Sequence, residues 1–403
     1  MTPGPHPPLP YRTLLFICCG VAFGCYCGTW MRLPVVPLYA ASLGADTVLV
    51  GLINAAFLLM AGGFSLPLGM AAHRLGPKLL ASLGLLILAG SSFLLYFSRA
   101  PLELVWIYLL SGVGLAAFGP TIMTLVANIS PATHLGRSYG WYTTALYTGM
   151  TVGPGIGGFV AQHEGFLRVF LLSGIFTLLV LAAFLASLPR VGLRPDAPEA
   201  PAPRPRVLSL RADRPLMGCW LATLGGCFGL GMFITFLPLH AHHQGLTIAQ
   251  IGLVFSVQGL TNALSRLPCG YLSDMVPDRR VLVVAGLAGF ALAQAGLALA
   301  HSLIHFLFSA ILLGISMGLA FTSVGALIPE VVPASALGLA MGGYNSVIYL
   351  GMMLSSACMG PVINLIGFQG GFLGTGVLNF FIIAWFLRLM RGYPGPGKGA
   401  TGP

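Results

Sequence analysis

Residues 125–150 read LVANISPATHLGRSYGWYTTALYTGM, and residues 327–352 read LIPEVVPASALGLAMGGYNSVIYLGM. When the second stretch is shifted back by 202 positions, ten of the 26 residues are identical. The shift is half the length of the 403-residue chain, and the identical residues include glycines and tyrosines that a shared apolar composition does not explain. The sequence therefore predicts two related halves that arose by duplication.

The composition predicts that both halves lie in a membrane. Apolar residues make up 57% of the chain and charged residues 7%, whereas soluble domains carry about 25% charged residues. The apolar residues form runs of about 20 to 28 residues, the length of a membrane-spanning helix, and not the short alternating segments of an outer-membrane barrel. A water-soluble protein is excluded, and an all-α transmembrane fold is predicted.

Twelve spans are predicted, six in each half. They cover residues 13–39, 47–72, 78–97, 102–127, 138–162, 167–188, 215–240, 248–274, 280–300, 304–329, 336–365 and 370–389. The domain organisation that follows is a tail at 1–12, a six-helix bundle at 13–189, a Pro- and Arg-rich linker at 190–214, a second six-helix bundle at 215–390 and a tail at 391–403.

The basic residues predict the orientation of these spans. Fifteen Lys and Arg residues fall on the side of the linker and of both termini, and only Arg99 and Arg168 fall on the other side. Cytoplasmic loops of membrane proteins carry this excess of positive charge. Both termini and the linker are therefore expected in the cytoplasm, with the protein in the inner membrane of a bacterium.

The loops after the second and eighth spans share a pattern of glycine, acid and bases. Residues 69–78 read GMAAHRLGPK and residues 270–280 read GYLSDMVPDRR. They resemble the signature loop of the major facilitator superfamily of transporters, G-x-x-x-D-R-x-G-R-R/K. The resemblance implies two six-helix bundles that rock around a central site, with these loops as cytoplasmic gates. The matching residues are Gly69, His73, Arg74, Gly76, Lys78, Gly270, Asp274, Asp278, Arg279 and Arg280.

The first loop departs from the family pattern, because His73 stands where the acid belongs. A neutral imidazole is a weaker partner than a carboxylate for a helix N-terminus. The clamp in the first half is therefore expected to be weaker than the one that Asp274 forms in the second half. Ordinary charged turns are the alternative interpretation of both loops.

The fifth span resembles the family pattern G-x8-G-x3-G-P-x2-G-G, which is typical of its proton-coupled antiporters and exporters. Glycines three or four residues apart give a smooth helix face for close packing, and a proline permits a bend. A pure packing role is also compatible with transport. The residues of this glycine motif are Gly140, Gly149, Gly153, Pro154, Gly157 and Gly158.

A further family pattern is missing from the fourth span. In related exporters an arginine, associated with proton coupling, stands four residues before a Gly-x-Gly. Here that position is Tyr108, before Gly112 and Gly114.

Two arginines, Arg32 and Arg266, fall at membrane depth, while all nine acids map to loops or helix ends. Such buried charges are costly and mark functional sites. A cavity that contains arginine and no carboxylate favours an anion or a zwitterion. For Arg266 the alternative is a role in the cytoplasmic clamp, and for Arg32 it is extension to the periplasmic interface. Uncharged residues expected along the translocation path are Tyr26, Trp30, Asn54, Tyr147, Gln258, Asn262, Asn345 and Tyr349.

The predicted function is secondary active transport of a small anionic or zwitterionic solute by alternating access, as proton-coupled efflux. Glu330 and Asp274 are the candidates for proton coupling. The alternatives are an importer or facilitator of a small anion, and a non-transporting sensor or scaffold. The sequence contains no recognisable catalytic constellation, so an enzyme is not expected, and neither a metal nor a cofactor beyond the proton or ion gradient is predicted. The expected partners are the solute and the lipid bilayer; no nucleic acid is expected to bind, and the protein is expected to be a monomer.

Overall fold

A computed structural model describes residues 10–187, 213–333, 336–391 and 393. The predicted linker at 190–214 and both predicted tails lie almost wholly outside the described residues, as do the side chains of His73 and Ala132.

The described chain is built from helices whose bounds lie within a few residues of the predicted spans. The first half contains α1 (Tyr11–Met31), α2 (Val35–Ser42), α3 (Thr47–Leu75), α4 (Pro77–Phe97), α5 (Pro101–Ile129), α6 (Leu135–Glu164) and α7 (Phe166–Ser187). The second half contains α8 (Arg214–His243), α9 (Ile248–Met275), α10 (Arg279–Ala298), α11 (Leu303–Val331) and α12 (Leu337–Leu389).

Two helix breaks follow from particular residues. Pro34 has no amide hydrogen and disfavours helical geometry at the residue before it, so the first predicted span is divided into α1 and α2. Gly367 interrupts α12 with a φ of 74°, a backbone conformation that glycine adopts readily. The 53 residues of α12 therefore contain both of the last two predicted spans.

Ten helices of the described chain are long and apolar enough to cross a membrane, with α1 and α2 taken together. One of them is α12, which is long enough for two spans. The 30-residue helix α6 is not among the ten. A helical membrane fold is confirmed, whereas the number twelve stays a prediction.

The two halves repeat the same close helix contacts, as the duplication predicts. A Cβ atom added to Gly149 of α6 would lie 2.5 Å from the Phe23 carbonyl oxygen of α1. A Cβ atom added to Gly351 of α12 would lie 2.7 Å from the Leu224 carbonyl oxygen of α8. Both distances are too short for a side chain, so glycine is required at the two repeat-related positions.

Candidate functional site

The two halves meet along two seams, and the first seam runs between α6 and α9. Near the N-terminus of α9, a Cβ atom on Gly158 would lie 2.9 Å from the Gly252 Cα. Further along, a Cβ atom on Gly259 would lie 3.0 Å from the Thr151 hydroxyl. The seam continues to the Tyr147 ring, where the Arg266 guanidinium lies 4.2 Å from the ring centroid. The end of the protein opposite the loops 69–78 and 270–280 is hereafter called the far end. The seam is closed from the far end to the middle of α6.

The second seam runs between α3 and α12 and closes at the same end. The Thr47 hydroxyl donates a hydrogen bond to the Gly360 carbonyl oxygen at 2.9 Å. Towards the middle, a Cβ atom on Gly62 would lie 2.6 Å from the Tyr349 Cβ. The two seams therefore seal the far end of the protein.

The end that carries the loops 69–78 and 270–280, hereafter the loop end, is open between the halves. A Cβ atom at Gly140 on α6 or at Gly342 on α12 would meet nothing within 4 Å. Polar side chains are exposed on these helices at the same level, where a lipid-facing surface would be apolar. These residues are Thr143, Thr144, Thr148, Asn345 and Ser346. A water-accessible opening therefore extends from the loop end towards Tyr147 and Arg266.

Arg266 lies at the inner end of this opening and joins the two halves. Its guanidinium stacks on the Tyr147 ring of the other half, and its Nε donates a hydrogen bond to the Asn262 Oδ1 at 3.0 Å. Stacking of this kind is a favourable use of the planar guanidinium. The side chain is half-buried, and within the described residues its Nη groups donate no hydrogen bond to the protein. The positive charge of Arg266 is therefore available to a ligand.

Tyrosines from both halves surround the Tyr147 position. Tyr26, Tyr142 and Tyr349 lie close enough to interact electrostatically with one another, and Tyr147 is near both Tyr26 and Tyr349. The Tyr26 ring is buried, and its centroid lies 5.4 Å from that of Trp30. The structure thus brings four of the predicted path residues, Tyr26, Trp30, Tyr147 and Tyr349, into one aromatic group, in which Tyr147 contacts Arg266.

The other uncharged candidates are placed less uniformly. Asn262 is buried beside Arg266. Gln258 is buried and points to α11, where its Nε2 lies 3.5 Å from the Met317 sulfur. Asn54 is buried within α3. Asn345 is exposed in the opening and donates to the Met341 carbonyl oxygen of its own helix at 3.1 Å.

Arg32 does not extend to a membrane interface, so that alternative is wrong. Only 3% of the residue is exposed. Its Nη1 donates to the Ser91 hydroxyl of α4 at 3.1 Å, and its Nη2 donates to the Ser111 hydroxyl of α5 at 3.2 Å. The same turn of α5 carries Tyr108, which lines a small cavity together with Arg32. A buried guanidinium is thus present beside the position where the family pattern has arginine, but it is supplied by the first span.

Ser91 and Ser111 were not predicted from the sequence as partners of Arg32. Small hydroxyl residues are common within spans, and their types do not indicate which helix faces them. Tyr108 was the one available signal, because it marks the position where an arginine was expected.

The glycine motif of α6 packs that helix against both neighbours. Glycines 149, 153 and 157 lie against the α1 backbone; a Cβ atom on Gly153 would lie 2.6 Å from the Cys27 carbonyl oxygen, and one on Gly157 would collide with the Met31 carbonyl oxygen. Gly158 faces α9, and Pro154 is buried. Gly140 has no such contact.

In the loop 69–78, glycine is required at Gly76, where φ is 87° between α3 and α4. The Lys78 ammonium donates to the Leu185 carbonyl oxygen at 3.0 Å, and Arg74 is exposed. Gly69 and its counterpart Gly270 do not make close helix contacts, because an added Cβ atom would lie 3.5 Å from Pro120 and 3.9 Å from Thr322, respectively.

Arg279 is the centre of the clamp in the loop 270–280. Its guanidinium forms ion pairs with Asp274 and with Glu330 of α11, and it donates to the carbonyl oxygens of Ser273 and Ala326. Both candidates for proton coupling are therefore engaged by one arginine at the loop end, away from Arg266.

Arg280 and Asp278 form a third ion pair, with 2.8 Å between the Arg280 Nε and the Asp278 Oδ1. Arg280 Nη1 also donates to the carbonyl oxygens of Met390 and Tyr393, which fixes the C-terminal end of α12 against α10. Among the described residues, no group of three or more His, Cys, Asp and Glu side chains is arranged to hold a metal ion.

Comparison with known proteins gives a family match over most of the chain. The Major Facilitator Superfamily model matches residues 18–249 and 219–402. The multi-drug resistance efflux pump PmrA of Streptococcus pneumoniae is 28% identical over 364 residues, which cover 86% of this chain and 88% of that protein. An uncharacterized MFS-type transporter of Methanocaldococcus jannaschii is 21% identical over 362 residues, 89% of this chain and 93% of that protein.

Among solved structures, the fold is similar to that of a bacterial homolog of the human lysosomal transporter Spinster in an inward-facing and occupied conformation. The TM-score is 0.78 at 14% sequence identity, with 96% of this chain and 98% of that chain covered. At this identity the similarity concerns the fold alone.

Proposed function

The chain belongs to the major facilitator superfamily, and from that membership we propose that it is a secondary active transporter that exports a small anionic or zwitterionic solute in exchange for protons. It is an integral membrane protein whose relatives are transporters and include an efflux pump. The solute, the direction and the coupling are the parts of this statement that we propose.

The proposed direction of transport depends on which end of the protein faces the cytoplasm. The excess of Lys and Arg on the side of the loops 69–78 and 270–280 indicates that this is the loop end. With that side in the cytoplasm, the structure is inward-facing, since the halves are separated at the loop end and sealed at the far end. An exporter in this state collects its solute from the cytoplasm.

The observation that carries the proposal is the contact of Arg266 with Tyr147 across the two halves. It places a guanidinium at the inner end of the opening, where a solute that arrives from the loop end meets it. The described ion pairs all lie at the loop end, so no carboxylate neutralises Arg266 and an organic cation would be repelled. A carboxylate or phosphate group would be bound by the two Nη groups.

Efflux is supported by the PmrA similarity and by the glycine motif of α6, which resembles that of proton-coupled exporters. A second candidate, an uncoupled facilitator of a small anion, is favoured by two observations. Arg279 engages both acids proposed for proton coupling, and the fourth-span arginine is replaced by Tyr108.

The test uses inside-out vesicles that contain the purified protein and a panel of labelled carboxylates, amino acids and organic cations. We expect an outward-directed proton gradient, acidic inside the vesicles, to be discharged when a transported anion or zwitterion is added outside, because each solute that enters exchanges for protons that leave. Uptake of that solute should depend on the gradient. A facilitator would equilibrate the solute without any change in the gradient, and a sensor or scaffold would move none of the panel.

Arg266→Gln is expected to raise the KM for the solute at least tenfold, while Arg168→Gln, which removes an exposed arginine from the far end, leaves it unchanged. Arg266→Lys is expected to recover only part of the affinity, because lysine keeps the charge but loses the planar stacking on Tyr147. Transport of organic cations alone, or an unchanged KM in Arg266→Gln, would contradict the proposed solute class.

A further inference from the structure

Arg32 is a buried cation whose positive charge no described acid balances. It is 3% exposed, and the ion pairs of the described residues involve only Arg279 and Arg280. An arginine remains protonated even when it is buried, so its charge cannot be lost as that of a lysine can. The neighbouring C-terminus of α1 offsets part of the charge, but the bonds to Ser91 and Ser111 use only two of the five guanidinium hydrogens.

The unused hydrogen on Arg32 Nε is also buried. Nε has no hydrogen-bond partner in the described chain although it is shielded from the surface. A buried donor without a partner is costly and calls for an unseen water or ion. The Nε group therefore indicates that something occupies the space beside it.

That space is a cavity of about 20 Å³, lined by Arg32, Thr29, Trp30, Leu33, Phe57, Tyr108 and Ser111. The volume admits one particle of about the size of a water molecule. An organic solute does not fit, because sites for such molecules measure several hundred Å³. The cavity is thus distinct from the solute position proposed at Arg266.

The polar groups on the cavity wall are all able to donate hydrogen bonds. They belong to Arg32, Thr29, Tyr108 and Ser111, and the Arg32 Nε and the Thr29 hydroxyl are both buried without a hydrogen-bond partner in the described chain. Trp30, Leu33 and Phe57 supply apolar walls, and no carboxylate lines the cavity. A donor-rich, positively charged and partly apolar cavity of this size favours a small monovalent anion over water, since only the anion also balances the charge.

We propose that the cavity beside Arg32 is a binding site for a small inorganic anion of halide size, such as chloride. The bound anion stabilises the first half of the transporter. The site goes beyond the proposed solute transport, which uses Arg266.

The experiment measures the Tm of the purified protein in sodium chloride and in sodium gluconate at equal ionic strength, because gluconate is too large for the cavity. A ligand that binds only the folded state raises the Tm in proportion to its saturation. We expect the wild-type Tm to be several degrees higher in chloride, with a saturable dependence on chloride concentration and a similar effect of bromide.

Arg32→Gln should abolish the difference between the two salts, and Arg266→Gln should retain it. Because Arg32→Gln also removes the bonds to Ser91 and Ser111, Tyr108→Phe serves as a milder variant that keeps the arginine. It is expected to shift the chloride midpoint severalfold to higher concentration. Bromide soaked into crystals should give an anomalous peak beside Arg32 Nε.

Equal wild-type Tm values in the two salts would overturn the site and leave the cavity to a water molecule. A chloride effect that survives in Arg32→Gln would also overturn it, because the effect would then be a general one of the salt. Either result leaves the proposal on Arg266 intact, since that proposal is tested by solute transport.

Discussion

Replacement of Gly158 by leucine should drive the protein out of the conformation described here. The added Cβ atom would lie 2.7 Å from the Ile248 carbonyl oxygen and 2.9 Å from the Gly252 Cα. Both are backbone atoms, so the clash cannot be relieved by rotation of a flexible side chain, and the rest of the leucine needs still more room. The seam between α6 and α9 must separate at the far end.

The magnitude follows from the cost of overpacking, which is about 1 to 3 kcal/mol for a well-packed contact. With backbone atoms on the opposing side we take the upper value, about 3 kcal/mol, which corresponds to a shift of about 150-fold between two conformations. The state with an open far end does not contain the clash, and its population rises by that factor.

Thiol labelling measures the shift. In a background in which Cys19 and Cys358, the two cysteines that are not buried, are replaced by alanine, Thr144→Cys reports on the opening at the loop end. Ser256→Cys reports on the seam at the far end, where the Ser256 hydroxyl is buried. Gly158→Leu should slow labelling at 144 and accelerate it at 256.

Gly374→Leu is the matched control, because Gly374 is an exposed glycine of α12 with nothing within 4 Å of an added Cβ atom. It should leave both labelling rates unchanged. If a folded Gly158→Leu protein showed wild-type labelling at both positions, the far-end seam would not be the contact that closes the protein, and this reasoning would be refuted.

Three further predictions concern stability, measured by thermal or denaturant unfolding. Gly157→Ala should lower the free energy of unfolding by at least about 3 kcal/mol, because the added Cβ atom would collide with the Met31 carbonyl group. Gly140→Ala in the same motif should leave the free energy of unfolding unchanged or raise it by about 1 kcal/mol. Equal effects of the two substitutions would contradict the packing role. Arg279→Gln should lower the free energy of unfolding by about 2 kcal/mol, because it leaves Glu330 without its ion-pair partner. The double variant Arg279→Gln with Glu330→Gln should be destabilised less than Arg279→Gln alone. Additive destabilisation by the two substitutions would argue against the ion pair. Hydrogen bonds from the Arg280 side chain hold the pKa of Asp278 below its ordinary value. The stabilisation is therefore complete well above the ordinary carboxyl pKa of about 3.9 and is lost as pH falls through the lower, folded-state value. Because the pair is partly exposed, Asp278→Asn should lower the free energy of unfolding by only about 0.5 kcal/mol at neutral pH and by progressively less in acid; a pH-independent difference would contradict this prediction.

The bounds of the helices were predictable because hydropathy and the turn residues act locally. Runs of apolar residues of the required length gave the spans. The break at Pro34, inside the first predicted span, was not predicted, although a proline acts on adjacent residues. The glycine motif was also readable, since spacing alone places 149, 153 and 157 on one helix face. What lies opposite that face was not readable, because the α1 backbone is more than 100 residues away in sequence.

The candidate site was predicted only in part, because the sequence indicates the position of a residue along its helix but not the neighbours that its side chain meets. Depth along a helix identified Arg32 and Arg266 as unusual charges, but depth does not give direction around the helix axis relative to neighbours. Arg266 was assigned between a clamp and a solute contact, and only the tertiary structure places it on Tyr147. The duplication held unused information, because Tyr142, Tyr147, Tyr344 and Tyr349 occupy repeat-related positions, yet two of the four were overlooked.

The position of Arg266 along its seam has a consequence for the transport cycle. Tyr147 is 17 residues from the far end of α6 and 12 from its loop end, or about 26 Å and 18 Å at 1.5 Å per residue. When two bundles rock, contacts at the ends of the helices separate most and contacts near the middle least. We therefore expect the Arg266–Tyr147 contact to persist while the far end opens and the loop end closes, so that one guanidinium is presented first to one side of the membrane and then to the other. The second seam has Gly62 and Tyr349 at the corresponding level, a contact that contains no charged residue. Of these two middle contacts, therefore, only the one between Tyr147 and Arg266 presents a charge.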